Sequence, residues 1–251
     1  MKVFLINLKK NADRLLQSKK RLDELGVAFE RVEAIYGKDL SPEEKRRSVN
    51  KFRWWCAQGR KIREGEIGCA LSHYKIYRRM IADKIDYACI LEDDNLYEDN
   101  FKYVLDNVDK LIDPCKPQVI LLSNKVNKTV NVSKTVSQTD VTIVAAKRDM
   151  GAYSYVLTSL AAKNILNANF PMHVPCDYWL RWVRLGLINL YNAIPTVCHP
   201  CPMNQYGSDI EIGSVQRVSD YGIVRLLLHK AKRLIGCAID SLIPVQCKEG
   251  R

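Results

Sequence analysis

Tyr87-Ala88-Cys89-Ile90-Leu91-Glu92-Asp93-Asp94 is the stretch on which the reading of this chain turns. Five mostly apolar residues run straight into three consecutive carboxylates. A short apolar run bounded by charge reads as a buried strand. In α/β sheets, ligands bind beyond the carboxyl ends of the strands, which is where these carboxylates fall. Three adjacent negative charges repel one another unless water solvates them or a cation shares them. Mg²⁺ and Mn²⁺ prefer oxygen ligands and bridge carboxylates to substrate phosphates. Two readings stay open on these residues alone. One is a metal–phosphate site. The other is a solvated acidic turn ahead of a helix, with Asp93 or Asp94 as its cap.

Working outward, the N-terminal part supplies a sheet for this strand to join. Val3 to Leu8 reads as a first strand. A helix from about Asp13 to Leu25 follows, with Leu15, Leu16, Leu22 and Leu25 on its apolar side and Gly26 as its stop. Val27 to Ile35 reads as a second strand. Strand–helix–strand is the signature of a parallel sheet. The polar turn carrying Asn7 and Arg14 then lies at the carboxyl edge, either as a nucleotide contact or as a solvated loop with a surface arginine.

The region between these strands and the acidic run is basic. Ser41-Pro42-Glu43-Glu44 has the residues of a capping box. Eight Lys or Arg lie between Lys45 and Arg63, with Trp54 and Trp55 among them. Cations and indoles suit a phosphorylated or sugar acceptor; an exposed basic excursion anchored by one Trp suits the pattern equally. Ile67, Leu71, Tyr74 and Ile81 have helical spacing, so a helix runs from the Gly65–Gly68 region to about Asp83. Ser72 and His73 lie in its early turns; a helix start favours phosphate, but a lone His in a helix is more often a packed or surface residue than a catalyst.

Past the acidic run, a helix from Asn100 to Leu111 and strands at Val119–Ser123, Val141–Ala146, Ala152–Leu157 and Leu187–Ala193 are predicted. A helix spans Thr158–Asn167, and Lys125–Asp140 reads as a hairpin or loop. Val174–Leu180 opens a further helix with Asp177 in its first turn. That carboxylate is either a partner of the helix dipole or a general base. Thr196–Ile212 reads as a long irregular loop. Tyr221–Ile243 reads as a basic amphipathic helix, suited either to an anionic membrane surface or to packing on the domain through its apolar stripe.

The totals bound the rest. The chain has 251 residues, 47% of them hydrophobic, enough for one large domain. Its formal net charge of +11 implies an anionic partner. Nine cysteines at irregular spacing fit a reducing compartment. Cys198, His199 and Cys201 have zinc-like spacing, but no second pair matches them. The apolar start is too short for a signal peptide, and no run approaches the ~20 residues of a spanning helix. The expectation is a cytoplasmic protein that is membrane-associated through its basic tail.

In combination the motifs become specific. Val3-Phe4-Leu5-Ile6-Asn7-Leu8 with Asp13-Arg14, Phe29 to Gly37, Gly65-Glu66-Ile67-Gly68-Cys69-Ala70-Leu71-Ser72-His73 and Leu91-Glu92-Asp93-Asp94 resemble, in order, the family-25 glycosyltransferases. These are the lipooligosaccharide galactosyltransferases and their collagen-modifying relatives. Gly151-Ala152-Tyr153, Pro175-Cys176-Asp177 and Ser208-Asp209-Ile210 resemble the family's later blocks.

The resemblance implies an α/β, GT-A-like fold, a Rossmann-like mixed sheet flanked by helices over residues 1–212, with the basic tail at 213–251. It implies inverting transfer from a UDP-sugar, typically UDP-galactose, with Mn²⁺ or Mg²⁺, to a lipooligosaccharide or lipopolysaccharide acceptor. Asp94 then corresponds to a metal ligand, with His199 as a late metal or phosphate ligand. Asn7, Arg14, Ser72, His73, Glu92 and Asp93 correspond to the nucleotide-sugar side, and Asp177 is the candidate base. Two other classes fit parts of the pattern. A nucleic-acid-binding module accounts for the charge but not for three carboxylates at a strand end, so no nucleic-acid partner is expected. A membrane-bound scaffold could keep the fold without the catalysis.

Overall fold

Alternating apolar strands and amphipathic segments fold into helices and strands much as their periodicity dictates. The computed structural model of the protein describes residues 1–123, 132–135, 140–146 and 151–201. In chain order the elements are β1 (Lys2–Asn7), α1 (Ala12–Glu24), β2 (Glu30–Glu33), α2 (Pro42–Ser48), α3 (Lys51–Gln58), α4 (Glu64–Ala82), β3 (Tyr87–Glu92), β4 (Asn95–Tyr97) and α5 (Phe101–Val108). They continue with β5 (Gln118–Leu121), β6 (Val132–Thr135), β7 (Thr142–Ala145), β8 (Ser154–Thr158), α6 (Ser159–Asn169), α7 (Trp179–Arg184), β9 (Asn189–Ile194) and β10 (Cys198–Pro200). The chain divides into two compact units, whose described residues fall in Met1–Ile35, Ser72–Asn167 and Cys176–Gly207 for the first and in Tyr36–Leu71 and Ala168–Pro175 for the second. The boundary expected at 212/213, the Ser208–Asp209 block and the basic helix at 221–243 lie outside the described residues.

The first unit holds an eight-stranded mixed sheet in the order β2-β1-β3-β8-β5-β9-β7-β6. β1 runs parallel to β2 and β3, and β5 parallel to β9; β8 runs antiparallel to both β3 and β5. The central strands are apolar on both faces, as strands covered on both sides must be. Val3, Leu5, Cys89 and Leu91 share one core cluster with Phe101, Val104, Leu105 and Val108 of α5. The α5 positions follow i, i+3, i+4, i+7, so its whole apolar stripe is buried. Each such side chain contributes about 1.5–3 kcal/mol of burial.

α1 ends at Gly26, whose φ of +67° lets the Val27 N–H turn back onto the Leu22 carbonyl at 2.9 Å. Two residues expected on apolar faces are not buried: Leu16 is 67% and Ile81 38% exposed. Each lies one residue, and so about 100° of helix, past a covered stripe set by Ser18 and Leu22 in α1 and by Tyr77 and Met80 in α4. The Thr196–Ile212 region is not wholly irregular either. Cys198–Pro200 forms β10, antiparallel to β4, which directly follows the acidic run.

In the second unit, the Ser41 hydroxyl accepts the Glu44 N–H at 3.2 Å and the Glu44 carboxylate accepts the Ser41 N–H at 2.8 Å, the expected capping box. Trp54 is buried and Trp55 exposed, so one indole anchors the basic segment. The Arg60 guanidinium stacks 5.5 Å from the Trp54 ring and pairs with Glu66. Gly37 is required by packing: a Cβ there would lie 1.8 Å from the Glu64 carbonyl oxygen.

Candidate functional site

The parallel pairing of β1 and β3 places their carboxyl ends side by side, with Ile6 opposite Glu92. β8 runs the other way, so its first residue, Ser154, pairs with Leu91 at the same edge. Four segments distant in sequence therefore meet there. They are the end of β1, the acidic run, Gly151–Tyr153 ahead of β8, and the turn holding Asp177.

Asn7 is 1% exposed, and its amide is committed to this edge. Nδ2 donates to Asp93 Oδ2 at 2.6 Å and to the Asn11 carbonyl at 2.9 Å, while Oδ1 accepts from Arg31 Nε at 3.0 Å. Arg14 Nη1 lies 3.6 Å from Asp93 Oδ1, and the Ser18 hydroxyl donates to the Asp93 carbonyl at 3.1 Å. Asn7, Arg14 and Asp93, singled out from the sequence, are thus brought together. Arg31 and Ser18 also belong to the cluster. Arg31 reaches Asn7 from β2 and Ser18 reaches the Asp93 backbone from α1, so neither contact is visible in a local stretch of sequence.

Glu92 ends β3, and its Oε1 faces His73 Nε2 at 3.0 Å. His73 is 1% exposed, and its other nitrogen meets the Tyr155 hydroxyl at 2.7 Å. Both ring nitrogens are therefore engaged by protein groups. The Ser72 hydroxyl accepts the Ile35 N–H at 2.8 Å and is equally buried. Ser72 and His73 thus meet protein groups at the site's back wall.

Asp93 and Asp94 do not cap a helix. They form the turn from β3 into β4, and the Asp94 carbonyl accepts the Cys201 N–H at 2.7 Å. Asp94 Oδ1 is buried and has no hydrogen-bond partner among the described residues. Burial, then the Glu92 and Asp93 charges, raise the Asp94 carboxyl to about 7, against a smaller opposing pull from Arg14. A buried carboxylate oxygen without a donor costs free energy that a bound cation would relieve. The donor set of Asp94 and its acidic neighbours, all hard oxygen, fits Mn²⁺ or Mg²⁺.

His199 sits opposite Leu96 on the exposed side of the β4–β10 pair, and its Nε2 lies 3.2 Å from Glu98 Oε1. Among the described residues, no three ligand atoms from Glu92, Asp93, Asp94 and His199 gather within 4.8 Å. The zinc-like triple does not converge either, because Cys198 and His199 are successive strand residues and point to opposite faces. Burial also pushes the Cys198 thiol up to about 12, far from the thiolate that zinc requires.

Asp177 lies in a turn two residues ahead of α7, not in its first turn. The misplacement came from reading Val174–Leu180 as the opening of the helix, which begins only at Trp179. Its Oδ2 accepts the Gly151 N–H at 3.1 Å, and the Gly151 carbonyl accepts from Trp179 Nε1 at 2.8 Å. Burial, then the Glu92 charge, raise the Asp177 carboxyl above the ordinary range. Gly151 has a φ of +103°, which a side chain rarely adopts, and a Cβ would meet the Tyr153 ring at 2.4 Å. The ring can swing aside but the backbone cannot relax. Gly151→Ala is therefore expected to lower stability by about 1–3 kcal/mol, read as a fall in the denaturant midpoint.

Comparison with known proteins adds an independent line. The sequence model of "Glycosyltransferase family 25 (LPS biosynthesis protein)" matches residues 1–180, a span containing every element of this edge except β9 and β10. A relative from Acanthamoeba polyphaga mimivirus, provisionally named a glycosyltransferase, is 32% identical over 170 residues, 65% of this chain and 51% of that protein. Human procollagen galactosyltransferase 2 is 27% identical over 186 residues, 71% of this chain and 29% of the relative. A rat protein named probable inactive glycosyltransferase 25 family member 3 is 28% identical over 186 residues, 71% of this chain and 32% of the relative. The chain spans about half the length of the first of these and about a third or less of the others.

Proposed function

The chain belongs to glycosyltransferase family 25, and from that premise we propose that it is a metal-dependent hexosyltransferase. It moves galactose from UDP-galactose, with inversion to a β-linkage, onto a core sugar of lipooligosaccharide or lipopolysaccharide. The observation that carries this reading is the buried Asp94 oxygen at the carboxyl edge of β3, which has no hydrogen-bond partner among the described residues. The galactosyltransferase names among the relatives support the sugar, and the lipopolysaccharide description of the family supports the acceptor. A net charge of +11 supports work at the anionic surface of the inner membrane from the cytoplasmic side. No helix among the described residues is long and apolar enough to cross a membrane.

Asp94 would hold Mn²⁺ or Mg²⁺, with Glu92 and Asp93 beside it. Such an ion supplies charge neutralisation to a leaving diphosphate. The remaining work falls to this chain's own side chains. Asn7 and Arg14 brace Asp93 at the mouth of the edge. Asp177 accepts the proton of the attacking acceptor hydroxyl. His199, which lies beside Glu98 on the β4–β10 pair, is the side chain this reading assigns to the metal or the donor phosphate.

Thermal-shift titration tests this reading directly. UDP-galactose with Mn²⁺ is expected to raise the melting temperature more than UDP-glucose or GDP-mannose, and the shift should vanish with EDTA. Saturation at a hundred times Kd corresponds to about 2.7 kcal/mol. A nucleotide-sugar shift indifferent to metal would remove the metal assignment. The rat relative's name favours one second reading, a member that keeps the fold without transfer. UDP release from UDP-galactose in the presence of acceptor separates the two.

A further inference from the structure

Glu92 is the front end of a longer line of polar groups. Behind it, His73 Nδ1 meets the Tyr155 hydroxyl at 2.7 Å, and that hydroxyl meets the Tyr77 hydroxyl at 2.8 Å. His73, Tyr155 and Tyr77 are each no more than 1% exposed. Phenylalanine at both tyrosine positions would fill the same space without desolvating two hydroxyls, so packing alone does not account for them.

The direction of the line follows from its ends. An ionised carboxylate only accepts hydrogen bonds, so Glu92 Oε1 takes the Nε2–H of His73. In the neutral ring Nδ1 must then accept, and it takes the Tyr155 hydroxyl proton. The Tyr155 oxygen in turn accepts from Tyr77. With the ring neutral, every proton of the line points toward Glu92. The Tyr155 ring also packs edge-on against Trp179, at 5.1 Å between centroids.

At the open end, the Glu92 side chain is 22% exposed. Its Oε2 has no hydrogen-bond partner among the described residues. A carboxylate oxygen beside Asp93 and Asp94 repels phosphate and attracts hydroxyl donors. We propose that Tyr77, Tyr155 and His73 are positioning residues that aim the Glu92 carboxylate at a hydroxyl of the sugar or ribose of a nucleotide-sugar donor. His73 therefore acts through Glu92 and does not touch the nucleotide. This inference rests on the transferase reading for the ligand, but not for the hydrogen-bond chain itself.

Two readouts test it on the full chain. The first is the imidazole ¹⁵N spectrum, with the His73 signal assigned by its loss in His73→Gln. Wild type is expected to show a single neutral Nε2–H ring, and Tyr155→Phe a mixture of tautomers. The second is donor kinetics with UDP-galactose. Tyr155→Phe is expected to raise the donor KM roughly tenfold, and Tyr77→Phe less, with the acceptor KM unchanged. Glutamine can place an N–H where Nε2 sits and asparagine cannot, so His73→Gln should retain roughly tenfold more activity than His73→Asn. A melting-temperature loss with unchanged donor KM and unchanged tautomer would mean a purely structural role and overturn the proposal. So would equal losses in His73→Gln and His73→Asn. If the wild-type chain turns over no donor, the transferase reading fails. The tautomer result, with calorimetric binding of UDP-galactose to wild type and Tyr155→Phe, still decides the chain.

Discussion

Asp94→Ala is expected to abolish sugar transfer, by about 10³-fold or more, while the metal-free protein melts no lower than wild type. The two halves have one cause. Asp94 Oδ1 is buried without a partner among the described residues, flanked by the charges of Glu92 and Asp93. A carboxylate so placed burdens the empty fold and rewards the occupied one. Its carboxyl is raised from 3.8 to about 7, so the folded state holds the proton more tightly than the unfolded chain. Linkage then gives the sign. Below about pH 4 the group is protonated in both states and carries no penalty. Stability falls as pH rises from about 4 to about 7, and the full penalty persists above that. Removing the carboxylate should erase this slope. At pH 8 in EDTA the variant should gain on the order of 1–3 kcal/mol over wild type, a rise of a few degrees in melting temperature. With Mn²⁺ and UDP-galactose the order should reverse, because only wild type gains the ligand's stabilisation. Full transfer activity in Asp94→Ala would sink the metal assignment. A lower melting temperature in EDTA would show that the oxygen has a partner.

The acidic run was legible because its pattern is local. Five apolar residues bounded by charge can be a strand from sequence alone, and the parallel pairing of β1 with β2 follows from strand–helix–strand spacing. What the run leads into was not legible. β4 and β10 are three residues each, too short for period-2 alternation to register, and Leu96 on β4 is 48% exposed. The cap reading of Asp93 and Asp94 gave way for that reason: a paired strand, not a helix, follows them. The partners of the site residues were also invisible. Asn7 and Asp93 stand 86 positions apart, and His73 and Tyr155 stand 82 apart. The register of β1 and β3 brings the first pair together, and the contact of α4 with β8 the second, and no single window contains either. Resemblance named His73 and Ser72 but could not show which way they face. Burial decided that, turning both toward protein groups.

Asp177→Asn is expected to lower kcat by roughly 10²–10⁴-fold with the donor KM changed by less than about threefold. Asparagine keeps the shape of the side chain and an oxygen to accept the Gly151 N–H, now 3.1 Å from Oδ2. The turn ahead of α7 therefore stays folded, and what is lost is the capacity to take a proton. Burial, then the negative charge of Glu92, raise the Asp177 carboxyl, moving its proton affinity toward the working pH of a general base. A base must be unprotonated to act, so wild-type kcat/KM should rise with pH through an acidic limb above the ordinary carboxylate range. The Asn variant should lose that limb, leaving a low, flat profile on its acid side. The Glu92 contribution can be separated as well. Glu92→Gln removes a neighbouring charge, so the limb should move to lower pH as Asp177 becomes easier to ionise. If Asp177→Asn instead weakened donor binding and left kcat intact, the carboxylate would be a binding residue. The proton would then need another acceptor at this edge. Wild-type turnover in the variant would exclude Asp177 from both roles, leaving it to hold Gly151 and the Trp179 indole in place.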